Sequence, residues 1–394
     1  MNFRPAVERH LDDLIHIRRD IHQHPEIGFE EERTSALVAE ELTRLGLEVH
    51  TGIGKTGVVG VLRGNGQSNR AIGLRADMDA LPMDEKTGLP YASKNKGAMH
   101  ACGHDGHTTM LLGAARALSE TRDFDGTVVF IFQPAEEGLG GADAMVKDGL
   151  FDRFTMESVY GIHNMPGMPV GKFAMRTGPC MANADLLKIL VKGKGAHGAM
   201  PSVGIDPIVV ASQIVMATQS IVARNVDPLK SGVVSITTFH SGSADNVIPD
   251  MAELTGTVRT YDAEIQDLIE TNLRRVVEGT AAALGAEATI DYQRNYPATV
   301  NTADETAFAA DIARKIVGAE NVEEDALPKM GAEDFSFMLN EKPGCYLWLG
   351  NGDYGEKGGV NVHNPEYDFN DDIIPYGVSF WVELVENAMP KPQT

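Results

Sequence analysis

Thr127-Val128-Val129-Phe130-Ile131-Phe132-Gln133 is an apolar run that leads directly into Pro134-Ala135-Glu136-Glu137. Similar short apolar runs occupy residues 57–62, 71–74 and 158–162, and a helical pattern lies around 108–118. Strands that are apolar on both faces and separated by helices are typical of a sheet that is at least partly parallel and covered on both sides. Because ligands of such sheets bind beyond the carboxyl ends of the strands, the segments that follow these runs are where chemistry is expected.

The sequence on either side extends this α/β pattern. Helices are predicted at residues 5–24 and about 30–45, and the pattern returns with a helix near 306–317, a strand at 346–349 and a C-terminal helix. The intervening segment differs, since it reads strand, helix, strand, strand, helix, strand. That order predicts a ferredoxin-like α+β sandwich. We therefore expect a discontinuous α/β domain with a central, mostly parallel sheet flanked by helices, residues 1–182 and 296–394, interrupted by a satellite domain at 183–295.

Composition excludes several classes of protein. The 394 residues include 56 acidic and 34 basic side chains, for a net charge of −22, and such a field repels nucleic acid and anionic membrane surfaces. Apolar runs are far shorter than the roughly 18 residues of a membrane-spanning helix, and no signal-peptide core is present at the N-terminus. Three cysteines do not make a disulfide framework. We expect a soluble, reduced, cytoplasmic protein.

The densest chemical signal is Met99-His100-Ala101-Cys102-Gly103-His104-Asp105-Gly106-His107, just before a predicted helix. Cys102 and His104 have the Cys-x-His spacing that can ligate a soft or borderline metal ion. The alternative is a buried cysteine among solvated histidines.

A second signal is the adjacent pair Glu136 and Glu137 at the end of a strand. Neighbouring side chains on a strand or turn point in different directions, so one carboxylate can bind a metal ion while the other faces a water molecule. A solvated loop pair is the alternative reading. His163 ends the next strand and His363 lies in a later loop, and each alone is an ordinary histidine. Five residues together predict one metal site at one edge of the sheet: Cys102, His104, Glu137, His163 and His363.

Asp77 and Asp79 follow the apolar run at residues 71–74. Metal-ligating imidazoles usually donate their second N–H to a carboxylate, and Asp79 is the candidate for that role. A turn cap is the alternative.

Seven motifs, in this order along nearly the whole chain, resemble the metal-dependent aminoacylase/carboxypeptidase superfamily, and within it the hippurate hydrolase and indole-acetyl-amino-acid amidohydrolase branch. The resemblance implies a catalytic domain with two divalent metal ions per subunit and a satellite domain used for dimerisation. Relatives outside this branch use a histidine in place of Asp77 and an aspartate in place of the thiolate. The motifs are residues 75–82, 100–107, 133–137, 161–164, 195–201, 331–335 and 362–367.

The resemblance also implies roles for individual residues. Cys102, His104, Glu137, His163 and His363 become metal ligands, Glu136 the general base, and Asp79 a catalytic partner of the site. The local sequence alone is equally compatible with a solvated turn histidine at His197. The resemblance implies that His197 enters the partner subunit's site, where it would stabilise an oxyanion. Residues implied to contact the substrate are Asn246, Arg259, Gly331 and Glu333.

The implied activity is metal-dependent hydrolysis of the amide bond of N-acyl-L-amino acids such as N-acetyl or N-benzoyl compounds, which releases a carboxylic acid and a free amino acid. The implied ions are Zn²⁺, Mn²⁺, Co²⁺ or Ni²⁺, since a thiolate ligand disfavours Mg²⁺ and Ca²⁺. The implied partners are a small N-acyl amino acid and a second copy of the chain. The alternatives are a dipeptidase or carboxypeptidase on the same scaffold and a catalytically inactive metal-binding module.

Overall fold

The computed structural model of the chain describes residues 3–391. Within this range, single-turn 3-10 helices lie at Pro201–Val203, Ala319–Asn321 and Asp371–Ile373. The α-helices of the described residues are α1 (Pro5–Glu8), α2 (Leu11–Gln23), α3 (Glu32–Arg44), α4 (His104–Thr121), α5 (Gly141–Lys147), α6 (Leu150–Arg153), α7 (Pro207–Asn225), α8 (Ala263–Ala283), α9 (Ala303–Val317), α10 (Phe335–Glu341) and α11 (Ile374–Ala388).

The strands alternate with these helices along the chain. They are β1 (Glu48–Ile53), β2 (Gly57–Arg63), β3 (Ala71–Asp77), β4 (Thr127–Gln133), β5 (Ser158–Pro166), β6 (Phe173–Ala174), β7 (Gly178–Met181), β8 (Ala184–Lys192), β9 (Ala196–His197), β10 (Gly232–Ser241), β11 (Val247–Ile248), β12 (Met251–Thr260), β13 (Glu287–Tyr296), β14 (Thr299–Asn301), β15 (Val322–Glu323) and β16 (Gly344–Gly352).

The chain forms two compact units. The first contains the described residues up to Cys180 together with Val300–Leu327 and the described residues from Asp334 onward. The second contains Met181–Thr299 and Pro328–Glu333. The sequence pattern predicts residues 328–333 to lie in the first domain. They group with the second unit because the backbone N–H of Ala182 donates to the carbonyl oxygens of Lys329 and Gly331.

The first unit is built on an eight-stranded mixed sheet of order β1-β2-β4-β3-β5-β16-β6-β15. Its four central strands, β4, β3, β5 and β16, are parallel, whereas β1 and β2 pair antiparallel at one side. The prediction of a central, mostly parallel sheet in an α/β fold is confirmed. Since parallel strands end at the same edge, Asp77 and Gln133, which are paired residues, stand side by side there.

Helices cover this sheet because its strands are apolar on both faces. Every residue of β3 and β16 is buried, and α4 is buried over its first fifteen residues, His104 to Leu118. Helix α4 packs against α2, α11 and β3. The helix that begins at His104, the last residue of the Cys-x-His motif, is therefore fixed inside the core.

The second unit has the predicted β-α-β-β-α-β order, and its sheet order β10-β12-β8-β13 is antiparallel throughout. This is the ferredoxin-like arrangement expected from the sequence. Asp206 caps α7 as predicted, because its carboxylate accepts a hydrogen bond from the backbone N–H of Ile208, and Pro207 is the first helical residue.

Among the described helices, α7 alone is long and apolar enough to cross a membrane by length and composition. Within its unit it serves as a core helix, since Val210, Ala211, Ile214 and Ile221 are buried beside the strands of the sheet. Packing accounts for this face of the helix, whereas Val209 and Met216 are exposed.

Two further differences from the sequence-based prediction concern the N-terminal region. The helix expected over 5–24 is divided, because the chain leaves α1 at Glu8 and α2 begins only at Leu11. Strand β1 was not predicted, since its residues are polar and half exposed and carry no apolar run.

Candidate functional site

The five predicted metal ligands lie together at the carboxyl edge of the parallel strands. Cys102 Sγ is 3.3 Å from Nε2 of His163, and His363 Nε2 is 3.2 Å from Oε1 of Glu137. His104 Nε2 is 4.0 Å from the same Glu137 oxygen. Within each of the groups Cys102–His104–His163 and Cys102–Glu137–His363, the candidate ligand atoms lie within 4.8 Å of one another.

The loop before α4 brings Cys102 and His104 into this cluster. Gly103 lies between them with a φ of +92°, the left-handed region that favours glycine. A Cβ at this position would lie 2.3 Å from Nδ2 of Asn164 and 2.5 Å from the hydroxyl oxygen of Tyr367. A glycine is therefore required for the ligand loop to approach the neighbouring elements this closely.

Asp79 lies beside two of the candidate ligands, His104 and Glu137, as expected from the sequence. Its Oδ1 is 3.1 Å from Nδ1 of His104, and its Oδ2 accepts a hydrogen bond of 2.9 Å from the backbone N–H of Glu137. A protonated Nδ1 that donates to Asp79 leaves the lone pair of His104 on Nε2, which faces the cluster. One carboxylate thus orients a ligand from α4 and the loop that carries another ligand.

Two atoms at the centre of the cluster are buried without hydrogen-bond partners among the described residues, namely Nε2 of His104 and Oε1 of Glu137. Buried polar atoms are normally paired, so these two identify the place where a cation fits. A set of one thiol, three imidazoles and a carboxylate matches the ligand chemistry of Zn²⁺ and neighbouring transition-metal ions.

The electrostatics of the cluster lead to the same conclusion. Burial raises the pKa of the Cys102 thiol well above its usual range, and the Glu137 and Glu136 carboxylates raise it further. Burial alone would lower the pKa of His104, but Asp77 and Asp79 raise it to about 10. Burial lowers the pKa of His163 well below its ordinary value, so its imidazole is neutral. A bound cation compensates the negative charge that these carboxylates and a thiolate would concentrate.

Glu136 is 7% exposed and adjoins the ligand cluster. One of its carboxylate oxygens lies within 4.8 Å of ligand atoms of both His104 and Glu137. The adjacent pair of glutamates therefore places both carboxylates at one site.

A buried network behind the ligands was missed by the sequence analysis. Arg75, which is 1% exposed, donates to Gln133 at 2.8 Å, to Asp77 at 2.7 Å and to Asp334 at 3.2 Å. The other oxygen of Asp77 is 2.6 Å from Nδ1 of His107. Each of these residues stands inside a motif quoted above, which was the available signal, but the sequence does not indicate which of them pair.

The remaining predicted residues belong to the second unit. His197 is exposed on β9, pairs in register with Val247 of β11, and accepts through Nδ1 a hydrogen bond of 3.0 Å from the N–H of Ala199. Asn246 precedes β11, and its carbonyl oxygen accepts from the N–H of Gly198 at 2.7 Å. The same ribbon therefore carries His197 and Asn246.

Arg259 lies on β12, and its guanidinium donates to the carbonyl oxygen of Val258 at 3.0 Å and to the hydroxyl of Thr257. Gly331 and Glu333 lie in the segment Pro328–Glu333, and Glu333 is buried.

The sequence pattern of peptidase family M20/M25/M40 matches residues 73–387. The chain belongs to this family. Similar members include hippurate hydrolase from Campylobacter jejuni, 44% identical over 384 residues and covering 98% of each chain. Thermostable carboxypeptidase 1 from Saccharolobus solfataricus is 43% identical, with 94% of each chain covered. N-acetyl-L-cysteine deacetylase from Bacillus subtilis is 41% identical, with 95% of this chain and 88% of that one covered.

Solved structures of the M20 family share the fold. The Bacillus subtilis YXEP protein, described as a dinuclear metal-binding peptidase from the M20 family, superposes with a TM-score of 0.84 at 35% identity, covering 97% of this chain and 99% of that one. The resemblance inferred from the seven motifs is confirmed, and so is the expectation that this chain is a hydrolase.

Proposed function

We propose that this M20 enzyme hydrolyses the amide bond of N-acyl-L-amino acids and releases a carboxylic acid and a free amino acid. The observation that carries the proposal is the position of the buried Glu136 carboxylate beside His104 and Glu137, two members of the candidate metal cluster. The names of two similar proteins, a hippurate hydrolase and an N-acetyl-L-cysteine deacetylase, support this substrate class.

Cys102, His104, Glu137, His163 and His363 would hold two divalent ions, a number supported by the dinuclear relative. The thiolate favours Zn²⁺, Mn²⁺, Co²⁺ or Ni²⁺. When bound, such ions supply a nucleophilic hydroxide near neutral pH and polarise a carbonyl group.

The chain's own residues move the proton. Glu136 takes a proton from the attacking water while the water oxygen bonds to the acyl carbon. Glu136 then gives that proton to the amide nitrogen as the C–N bond breaks. Asp79 keeps the imidazole of His104 and the backbone of Glu137 in place. Glu136 is unchanged at the end of the cycle, and no covalent acyl-enzyme is needed.

The second unit would complete the site. We assign dimerisation to it, with domain limits near 182 and 296, and we assign His197 to the site of the partner subunit as an oxyanion donor. The antiparallel sheet of the second unit has edge strands, and such edges can pair with another copy of the chain. Arg259 would bind the substrate carboxylate. Further substrate contacts are assigned to Asn246, Gly331 and Glu333. A content of three cysteines in 394 residues fits a reducing, cytoplasmic location.

A carboxypeptidase is the second candidate, because a relative with that name is 43% identical over nearly the full length. The test is a panel of N-acetyl-, N-benzoyl- and indole-acetyl-amino acids beside dipeptides, each assayed with Zn²⁺-, Mn²⁺-, Co²⁺- and Ni²⁺-loaded enzyme. A higher kcat/KM for the N-acyl compounds supports the proposal, and a preference for dipeptides with a free amino group overturns it.

A further inference from the structure

Ala135, the residue before the two glutamates of the site, has a left-handed backbone. Its φ is +52°, although it carries a Cβ, and it is completely buried. An L-residue with a Cβ pays a steric penalty in this region, so the surrounding structure must hold it there. The direction in which the chain leaves Ala135 sets the positions of Glu136 and Glu137.

The group that holds this backbone is the carboxylate of Glu31. Its Oε1 accepts a hydrogen bond of 2.8 Å from the N–H of Ala135, and its Oε2 accepts one of 2.5 Å from the hydroxyl of Thr56. Glu31 is completely buried. Each carboxylate oxygen therefore accepts one hydrogen bond. Oε1 binds the loop that carries Ala135, and Oε2 binds Thr56.

Glu31 is itself fixed at the start of a helix. It is the N-cap residue of α3, and its carbonyl oxygen accepts from the N–H of Ser35 at 3.0 Å. The serine hydroxyl in turn donates to the carbonyl oxygen of Thr56. The helix terminus, the side chain of Glu31 and the turn before β2 thus form one rigid support.

The segment around Gly28 packs against the same residue, Ala135. A Cβ at Gly28 would lie 3.0 Å from both Cα and Cβ of Ala135, so this segment already touches the loop. The carbonyl oxygen of Ala135 accepts from the N–H of Gly141 at 3.0 Å. The backbone N–H and the carbonyl oxygen of Ala135 therefore both have hydrogen-bond partners.

We propose that Glu31 is a positioning residue, which keeps Ala135 left-handed so that Glu136 and Glu137 are directed to their separate places in the site. This inference rests on the proposed function, since it takes Glu136 as the base. Glu31 acts through the N–H of Ala135.

Substitutions at position 31 separate hydrogen bonding from charge. Glu31→Gln keeps an acceptor for Ala135 N–H, and its amide can donate to Thr56, so kcat should stay within about twofold of wild type. Glu31→Ala should lower kcat by on the order of 10- to 100-fold with little change in KM, since displacing a catalytic group costs this much. Glu30→Ala, at the exposed neighbouring glutamate, is the matched control.

A second substitution tests the backbone directly. Glycine adopts positive φ without the steric penalty, so adding Ala135→Gly to Glu31→Ala should recover about fivefold of the lost kcat. Hydrogen–deuterium exchange supplies a readout without turnover: the amide of Ala135 should exchange faster in Glu31→Ala and stay protected in Glu31→Gln. If Glu31→Ala does not fold, Glu31→Asp, which withdraws the carboxylate by one methylene, is measured in its place.

A folded Glu31→Ala or Glu31→Asp enzyme with wild-type kcat overturns the inference, and so does a Glu31→Ala/Ala135→Gly enzyme no faster than Glu31→Ala. Glu136→Gln distinguishes this failure from failure of the proposed function. A fully active Glu136→Gln enzyme refutes the assignment of Glu136 as the general base. If Glu136→Gln is inactive but Glu31→Ala or Glu31→Asp is fully active, only the role of Glu31 is refuted.

Discussion

The side-chain amide of Asn164 donates a hydrogen bond of 2.6 Å to the carbonyl oxygen of Cys102. The Oδ1 of the same amide accepts from the hydroxyl of Tyr367 at 2.8 Å, and the backbone N–H of Asn164 donates to Nε2 of His107 at 2.9 Å. Asn164 thereby connects β5, the loop before α4 and the loop that follows His363.

Replacing Asn164 should therefore weaken metal binding. Loss of a group that orients ligands typically reduces metal affinity by about 10- to 100-fold, and Asn164→Ala should fall in this range. In the cobalt-loaded protein, the thiolate-to-cobalt absorption band should also shift or weaken. Asn301→Ala removes another buried asparagine that donates to backbone carbonyls, and it is the control for general destabilisation. Wild-type affinity in Asn164→Ala would contradict the prediction.

The two adjacent glutamates should give different phenotypes. Glu136→Gln should lose on the order of 10²–10⁴ in kcat while its metal content stays near wild type, because a general base is removed but no ligand. Glu137→Gln should lose metal ions, measured by elemental analysis after gel filtration. Glu366→Gln, an exposed glutamate in the loop after His363, should change neither quantity. Exchange of the two phenotypes would reverse the assignment of base and ligand.

The convergence of the candidate metal ligands could be predicted from the sequence because each follows an apolar run or lies in a short motif, and strand ends of a parallel sheet share one edge. Glu31 could not be predicted. It stands in the run Glu30-Glu31-Glu32, which resembles a solvated surface, and its partner is 104 positions away. Asn164 and Cys102 are 62 positions apart. Which polar side chains become buried supports depends on tertiary packing, and local pattern does not contain that information.

Metal loading should release protons at pH 7. Burial raises the pKa of Cys102, and neighbouring carboxylates raise the pKa of His104 to about 10, so both groups carry a proton in the metal-free protein. Each must lose it to coordinate, which predicts a release of about two protons. Isothermal titration calorimetry in buffers with different ionisation enthalpies measures this number. A heat that does not depend on the buffer would contradict the prediction.

Stability should fall in alkaline solution because of His22. Burial opposes its charged form, but Asp105, 2.8 Å away, raises its pKa to about 9. Since the folded pKa lies above the unfolded value near 6.5, the stabilisation is complete below pH ~6.5 and is lost as pH rises through about 9. The loss is on the order of 3 kcal/mol at most. Urea unfolding of the metal-free protein at pH 6 and 9 measures the total loss, to which His104, with its pKa of about 10, also contributes. His22→Gln should therefore show a smaller loss than the wild type, by the share of His22. His50→Gln, on β1, should leave it unchanged.

Completion of the site across a dimer predicts complementation between two inactive variants. His197→Ala should keep fold and metal content but lose about 10²–10³ in kcat, the scale of one oxyanion donor. His197 is exposed on a short ribbon, and the alanine variant loses the hydrogen bond that Nδ1 accepts from the N–H of Ala199. Thermal unfolding measures the structural effect of that loss.

The mixing experiment uses His197→Ala and Glu136→Gln, each nearly inactive alone. If His197 serves the partner subunit's site, a mixed dimer holds one site with both residues intact and one site with neither. Random exchange makes about half of the dimers mixed, so total activity should rise to about a quarter of wild type. If His197 serves its own subunit, each site of a mixed dimer lacks one residue and activity stays at the level of the single variants. Subunit exchange is verified by native mass spectrometry with one variant isotope-labelled, so that an absence of recovery is decisive against the shared site.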